Sequence, residues 1–295
     1  MAKRVIMTDT GSAPTREIVE RYGVAVMGMK VFLDGTAYID GEEIDKDTYY
    51  SRIGKARDFN TSPPLVWEIK KIYEDLRRKG CRELIGIHVS SAMSNLITTC
   101  RNANNLISGM TVRIIDTQNI SVGAYLVVEK VVELLHAGRS IDEILPLLPE
   151  IRASVKLQVS LSTLKYLVKN KRIGRAQGLV GNFLRMRPIL GIDDEGYLIP
   201  LSRQRGKENV IERVAEDAAD FLADRPHNIK VYLTHGLDKN KRQVEAVYER
   251  FTGKLEALGV RRHRVIRSRL WPTVANLSGP ETYGFAVYGE KQPIE

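Results

Sequence analysis

Hydroxyl-bearing residues gather at places in this sequence where a small anion could be held. Asn60-Thr61-Ser62-Pro63-Pro64 stands before a segment of helical periodicity, and a Ser or Thr followed by Pro makes a good helix start. Ser90-Ser91-Ala92-Met93-Ser94 stands between an apolar strand-like run and another helical segment, with Ser94 a candidate N-cap. Capping alone accounts for both. A helix start also presents free N–H groups and the positive end of a dipole, which suit a carboxylate or a phosphate. Open α/β sheets bind ligands outside the carboxyl ends of their strands. Asp9-Thr10 and Asp116-Thr117 end two more predicted strands, and Ser121 precedes another predicted helix. Together these residues outline a polar rim along one sheet edge.

Other chemistry finds little support. The histidines are His88, His136, His227, His235 and His263, with no HExxH or paired Cys/His spacing to hold a metal. His88 lies in an apolar strand and reads as a core residue. His136 falls at a helix C-terminus, where a cation is favourable. There is no Gly-rich phosphate loop, no GxGxxG and no G-x-S-x-G elbow. Cys81 and Cys100 match no metal or disulfide pattern, and Cys100 falls in the apolar stripe of a helix. No cofactor is expected.

The elements that must carry these residues alternate between strand and helix, the pattern of an α/β protein. Arg4 to Thr8 reads as a buried strand and Pro14 to Tyr22 as a short helix. Asp34-Gly35 is a hairpin signal between Val24–Leu33 and Thr36–Ile39. Leu65, Ile69, Ile72 and Leu76 repeat at helical spacing up to Gly80, and Leu84 to Val89 follows as a strand. Leu96, Cys100, Ala103 and Ile107 mark a helix, Val112 to Ile115 a strand, and Val122 to Leu135 an apolar helix. Ser140 and Glu143 form a capping box. Beyond residue 188 a hairpin with Asp194-Glu195-Gly196 at its tip precedes two helix–strand pairs and a last strand from Tyr283 to Tyr288.

The 295 residues carry a formal net charge of +9, with 43% hydrophobic and 27% charged residues, the balance of a soluble globular chain. No apolar run reaches the roughly 20 residues that span a bilayer. Met1 to Val5 runs into a strand-like segment without a signal-peptide hydrophobic region, so the expected location is cytoplasmic. The charge is uneven: Lys165, Lys169, Lys171, Arg172, Arg175, Arg185 and Arg187 fall between Lys165 and Pro188 with no acidic residue among them. Such a stretch is either a solvated face or a surface for an acidic partner.

In order along the chain, the motifs resemble those of the bacterial DegV family. Asp9-Thr10 is similar to its "DST", Thr61-Ser62-Pro63-Pro64 to "TSQPS", Ser90-Ser91-Ala92-Met93-Ser94 to "SSxLSGT", and Asp116-Thr117 with Ser121 and Gly123 to "DS…SxG". Tyr166-Leu167-Val168-Lys169, Arg172-Ile173, Gly181-Asn182-Phe183-Leu184 and Arg187-Pro188-Ile189-Leu190 resemble "YLxKGGRI…GNLLxIKPIL". Arg205-Gly206 and Ser278-Gly279-Pro280 fall where the family has "RG" and "HTGPG".

The resemblance implies a two-domain DegV-like α/β fold with a ligand tunnel between the domains, occupied by a long-chain fatty acid. It implies that Thr61 and Ser94 hold the carboxylate, with Ser62 and Ser91 as neighbours. It further implies that Arg172 and Arg205 form an exposed docking surface for a separate fatty-acid kinase, which would phosphorylate the bound acid for phospholipid synthesis. The expected domains are residues 1–160 plus 275–295 and residues 161–274. Four departures stand out: Asn170 and Lys171 replace paired glycines, Asn95-Leu96 follows the motif serine, Leu277 replaces a histidine at the head-group end, and Glu281 replaces a glycine close to it. Losing a donor and gaining a like charge would disfavour an ionised head group, so weaker binding, a different lipid or a protonated acid are alternatives.

Two other functions compete on the residues alone. A lipid-modifying esterase or phosphotransferase using Ser91 or Ser94 lacks a base beside either serine. A nucleic-acid binder rests on net charge alone, with no recognition motif.

Overall fold

The computed structural model describes residues 3–179, 186–260 and 262–295. The motif residues Gly181 to Leu184, and Arg185, lie outside them. The first part of the chain carries β1 (Lys3–Asp9), α1 (Arg16–Tyr22), β2 (Ala25–Met27), β3 (Lys30–Leu33), β4 (Thr36–Ile39), α2 (Lys46–Ile53), β5 (Phe59–Ser62), α3 (Val66–Arg78), β6 (Cys81–His88), α4 (Leu96–Asn104), β7 (Thr111–Asp116) and α5 (Ser121–His136). Two short helices follow, α6 (Ile141–Ile144) and α7 (Leu148–Ala153). The remainder forms β8 (Val155–Ser160), α8 (Lys165–Lys169), β9 (Arg187–Ile192), β10 (Leu198–Gln204), α9 (Lys207–Leu222), β11 (His227–His235), α10 (Asp238–Ala257), β12 (Arg264–Arg269), α11 (Pro272–Ser278) and β13 (Tyr283–Glu290).

Three sheets result. A parallel sheet runs β2-β1-β6-β7, a mixed one runs β10-β9-β8-β13-β11-β12, and a small antiparallel one runs β4-β3-β5. The Asp34-Gly35 hairpin forms as its sequence dictates, with φ of 49° and 85° at the two turn residues, the pairing a right-twisted two-residue turn requires. The Ser140–Glu143 capping box forms too. His88 is fully buried, its Nδ1 3.0 Å from Asp9 Oδ2, and both cysteines are buried and free.

Two expectations fail. Thr61 and Ser62 do not start a helix: they lie in β5, paired with Val31 and Lys30, and α3 begins only at Val66. Pro63 and Pro64 separate the strand from the helix, since residues before proline favour extended backbone. The division into 1–160 plus 275–295 and 161–274 does not follow the sheets. β13 lies between β8 and β11, antiparallel to both, and β8 itself belongs to this second sheet. All eight residues of β13 are buried. A strand buried on both faces carries no alternation to name its sheet.

Helix α5 is the shared layer. Fourteen of its 16 residues are buried, and it packs on Ile85, Ile87 and Ile115 of the first sheet and on Leu157, Tyr232, Ala286 and Tyr288 of the second. The small sheet is fastened to the second unit by Phe59 stacked on Tyr166 at 4.5 Å and by Lys169 paired with Asp58 at 2.6 Å. No helix among the described residues is long and apolar enough to cross a membrane.

Asp40, after β4, secures α11 to the small sheet. Its Oδ2 accepts from the Thr273 N–H at 2.9 Å and the Thr273 hydroxyl at 2.5 Å, while Oδ1 is buried without a partner. Burial pushes the carboxyl up to about 6, against the opposing pull of the Thr273 hydrogen bonds. Between about pH 4 and 6 the folded protein therefore retains a proton that the unfolded chain has lost, so this group's contribution to stability falls as pH rises through the window. Asp40→Asn keeps an acceptor for Thr273 and removes the titration. Relative to the wild type, the variant should gain on the order of 2–3 kcal/mol between pH 4 and pH 7. Urea unfolding at both pH values measures this; an unchanged difference between the two proteins would show Asp40 titrating normally.

Candidate functional site: an apolar cavity with a polar mouth

The cavity lies between the segments that follow β1, β6 and β7 on one side and residues of β8, β9, β10, β11 and β13 on the other. Gly11, Val89, Met93 and Ile120 to Val122 line it from the first unit, Leu157, Val159, Leu190, Leu198 and Gly284 from the second. Its space, mouth included, is about 940 Å³. The β9–β10 hairpin closes over one side: its tip, Gly196, accepts a hydrogen bond from the Ser90 hydroxyl at 2.9 Å. With φ at 88° and Ser90 Oγ 2.2 Å from where a Cβ would stand, only glycine fits there.

One group of polar lining residues is half-buried and marks the mouth. Thr61, Ser62, Ser94, Arg172 and Leu277 all line the cavity, and all are partly exposed. A run of hydrogen bonds holds their backbones together. Arg172 Nε donates to the Met93 carbonyl at 2.7 Å and Nη1 to the Asn170 carbonyl at 3.1 Å. Asn170 Nδ2 donates to the Asn276 carbonyl at 3.1 Å, and Asn276 Nδ2 to the Asn60 carbonyl at 2.6 Å. The segments bearing Ser94, Leu277 and Thr61 are thus joined through Arg172, Asn170 and Asn276. The last two asparagines stand at or beside positions where the sequence departs from the resembled motifs; neither departure alone predicts that they are linked. Ser94 Oγ accepts from the Leu96 N–H at 3.2 Å in the first turn of α4, leaving its own proton free to donate. Among the described residues the hydroxyls of Thr61 and Ser62 have no protein partner.

Three sequence expectations change at this site, at Ser91, Arg172 and Glu281. Ser91 does not line the cavity; it is exposed, and its N–H points to the Asp116 carboxylate at 3.2 Å. Arg172 is not a free surface arginine, because two backbone carbonyls hold its guanidinium at the mouth. Arg205 is exposed, just before α9. Glu281 does not face the cavity: it pairs with Lys239 at 2.6 Å, so no like charge crowds the mouth. Gly279, φ 95°, lets the Ser278-Gly279-Pro280 turn lie against the Tyr166 ring, 2.8 Å from where a Cβ would stand.

Sequence reasoning missed Met29, Thr273 and Thr282 as lining residues. They reach the cavity only through the packing of the small sheet and α11, which no local pattern encodes. Among the described residues no carboxylate or imidazole lines the cavity, and no cluster of three or more His, Cys, Asp or Glu could hold a metal ion.

A mostly apolar cavity with a few hydroxyls and one guanidinium at its mouth has the form of a small-molecule-binding site. The chain belongs to the DegV family, whose family model matches residues 3–290. It is 32% identical over 230 residues to a DegV domain-containing protein of Staphylococcus aureus, covering 78% of this chain and 81% of that one. Its fold matches a DegV family protein of Thermus thermophilus described as fatty acid binding, with TM-score 0.86, 26% identity and coverage of 97% and 99% of the two chains. It also matches the fold of a stearic acid-binding protein of Eubacterium ventriosum at TM-score 0.85, with 21% identity and 98% and 99% coverage.

Proposed function

We propose that the protein binds a long-chain fatty acid, with the acyl chain in the cavity and the carboxylate at the mouth between Thr61 and Ser94. The observation that carries this reading is a mostly apolar lining that ends, at a half-buried mouth, in the hydroxyls of Thr61, Ser62 and Ser94 beside one guanidinium. Burial of the chain contributes roughly 0.8 kcal/mol per CH₂, and hydrogen bonds to the charged head group add direction. The Thermus thermophilus relative, described as fatty acid binding, supports it. An esterase or phosphotransferase built on Ser94 would need a base within reach, and the described lining supplies none. Mass spectrometry of an organic extract of the purified protein tests the proposal. A stoichiometric long-chain acid is expected; protein that carries no acid and takes up no added palmitate would overturn it.

The half-buried mouth would leave the carboxylate accessible to a second protein. We read the basic segment from Lys165 and the exposed Arg205 as a docking surface for a fatty-acid kinase, in which a carboxylate oxygen attacks the terminal phosphoryl group of ATP. Arg205→Glu should leave palmitate affinity unchanged and slow acyl-phosphate formation at least tenfold with a cognate kinase. Equal rates would remove Arg205 from the surface.

Leu277 offers a further test of the head-group position. Leu277→His adds a donor at the mouth, and Glu281 is occupied by Lys239 and does not compete for it. Palmitate should bind more tightly by about 1 kcal/mol, more so at pH 6 than at pH 8, because the imidazolium adds charge. Displacement of a fluorescent fatty acid reads the change; weaker binding at both pH values would place the head group elsewhere.

A further inference from the structure

Deep in the same cavity one hydroxyl has nothing to bond. The other interior hydroxyls are engaged within the protein: Thr273 donates to Asp40, Thr282 to the Ser278 carbonyl and Ser278 to the Val274 carbonyl, and Thr234 accepts from Ser268. Ser121 also lines the cavity and is only 3% exposed, yet its Oγ has no partner among the described residues. A buried hydroxyl without a hydrogen bond is costly, and Ser121 also occupies the left-handed region, with φ of 50°.

Ser121 is the first residue of the 16-residue α5, and no side chain caps that end, the N-cap being Ile120. The helix ladder starts with Gly123 and Ala124 donating to the Ile120 carbonyl. The N–H groups of Ser121 and Val122 precede it and have no intrahelical acceptor. Free backbone donors and a free hydroxyl therefore fall on two adjacent residues that line an interior whose other hydroxyls are engaged. The mouth residues are half-buried while Ser121 is enclosed, so Ser121 is cut off from the solvent that reaches the mouth hydroxyls.

We propose that Ser121 and the uncapped start of α5 receive an oxygen substituent carried on the acyl chain, so that the preferred ligand class is a hydroxylated long-chain fatty acid. The inference rests on the fatty-acid reading above. Palmitate and a series of hydroxypalmitates, with the hydroxyl moved along the chain, are compared by displacement of a fluorescent acid. Most isomers should bind at least about tenfold more weakly than palmitate, because their hydroxyl leaves water for an apolar wall. One isomer should bind as tightly as palmitate or more tightly. Ser121→Ala, with folding checked by thermal melting, should weaken that isomer about tenfold more than it changes palmitate, since one lost hydrogen bond of about 1.4 kcal/mol is a tenfold change. Palmitate binding with every hydroxy isomer weak, or a series unchanged by Ser121→Ala, overturns this inference alone. The wild-type series decides the matter if the variant fails to fold. No binding of palmitate or any isomer overturns the fatty-acid reading and this inference with it.

Discussion

Glu129→Ala is expected to destabilise the protein by about 3 kcal/mol or more. Glu129 sits in the middle of α5, 1% exposed, where the two large sheets share a layer. Its Oε1 accepts from the Tyr125 hydroxyl at 2.7 Å and from Arg264 Nη1 at 2.7 Å. Lys230 Nζ lies 2.9 Å from Oε2 as an ion contact, while its directed hydrogen bond goes to Glu133 at 2.6 Å. Burial pushes the Glu129 carboxyl up, but Lys230 and Arg264 outweigh it, so the group stays ionised below its ordinary range. Removing one partner of a buried pair costs about 3–5 kcal/mol, mostly by stranding the other charge. Here Glu133 and Glu17 remain for Lys230 and Arg264, which places the expected loss at the lower end. Glu129→Leu with Lys230→Met should recover part of it, because Arg264 keeps Glu17 and only the part-exposed Glu133 loses its partner. Urea unfolding of the three proteins measures this. A loss below 1 kcal/mol for Glu129→Ala would mean that the two sheets are held together by apolar packing alone.

What could be read from the sequence was mainly local. The Asp34-Gly35 hairpin and the Ser140–Glu143 cap are set by residues within four positions of each other, and both form. The strand-to-helix junction at Ser90 to Ser94 reaches the site for the same reason: a strand end followed by a helix start fixes its own geometry. Thr61 and Ser62 also reach the cavity, but from a strand rather than a helix start. Hydroxyls followed by proline suit either, and only the pairing with β3 selects one. The position of β13 depends on contacts more than 100 residues away in sequence, with β8, and its unbroken burial erases the alternation that would have signalled them. Arg172 illustrates the same limit at a single side chain. A charge run predicts a solvated surface, whereas this arginine finds two carbonyls at the cavity mouth. The link between Asn170 and Asn276 joins residues 106 apart, and neither has a pattern around it that names the other.

Replacing Thr61 and Ser94 together by alanine should weaken palmitate binding by roughly 2–4 kcal/mol, since each hydrogen bond to a charged group contributes about 1.5–3 kcal/mol and the two are unlikely to add in full. The structure brings both hydroxyls to the cavity mouth from different elements, β5 and the turn before α4. The two changes should act differently on the fold. Thr61 is partly exposed in β5 with no protein partner among the described residues for its hydroxyl, so alanine costs little beyond strand propensity. Asn95, not Ser94, is the N-cap of α4, but Ser94 accepts from the Leu96 N–H, so its loss frees a donor at the helix start and should lower stability by about 1 kcal/mol. Affinity must therefore be measured on protein shown to be folded, by displacement or calorimetry at a pH where palmitate is ionised. The methyl ester of palmitate separates head-group from chain effects. It keeps the acyl chain but carries no charge, so the wild type should bind it more weakly than palmitate, and the double variant should lose most of that preference. Unchanged palmitate affinity in the double variant, with the preference over the ester intact, would show that the carboxylate is held elsewhere in the cavity.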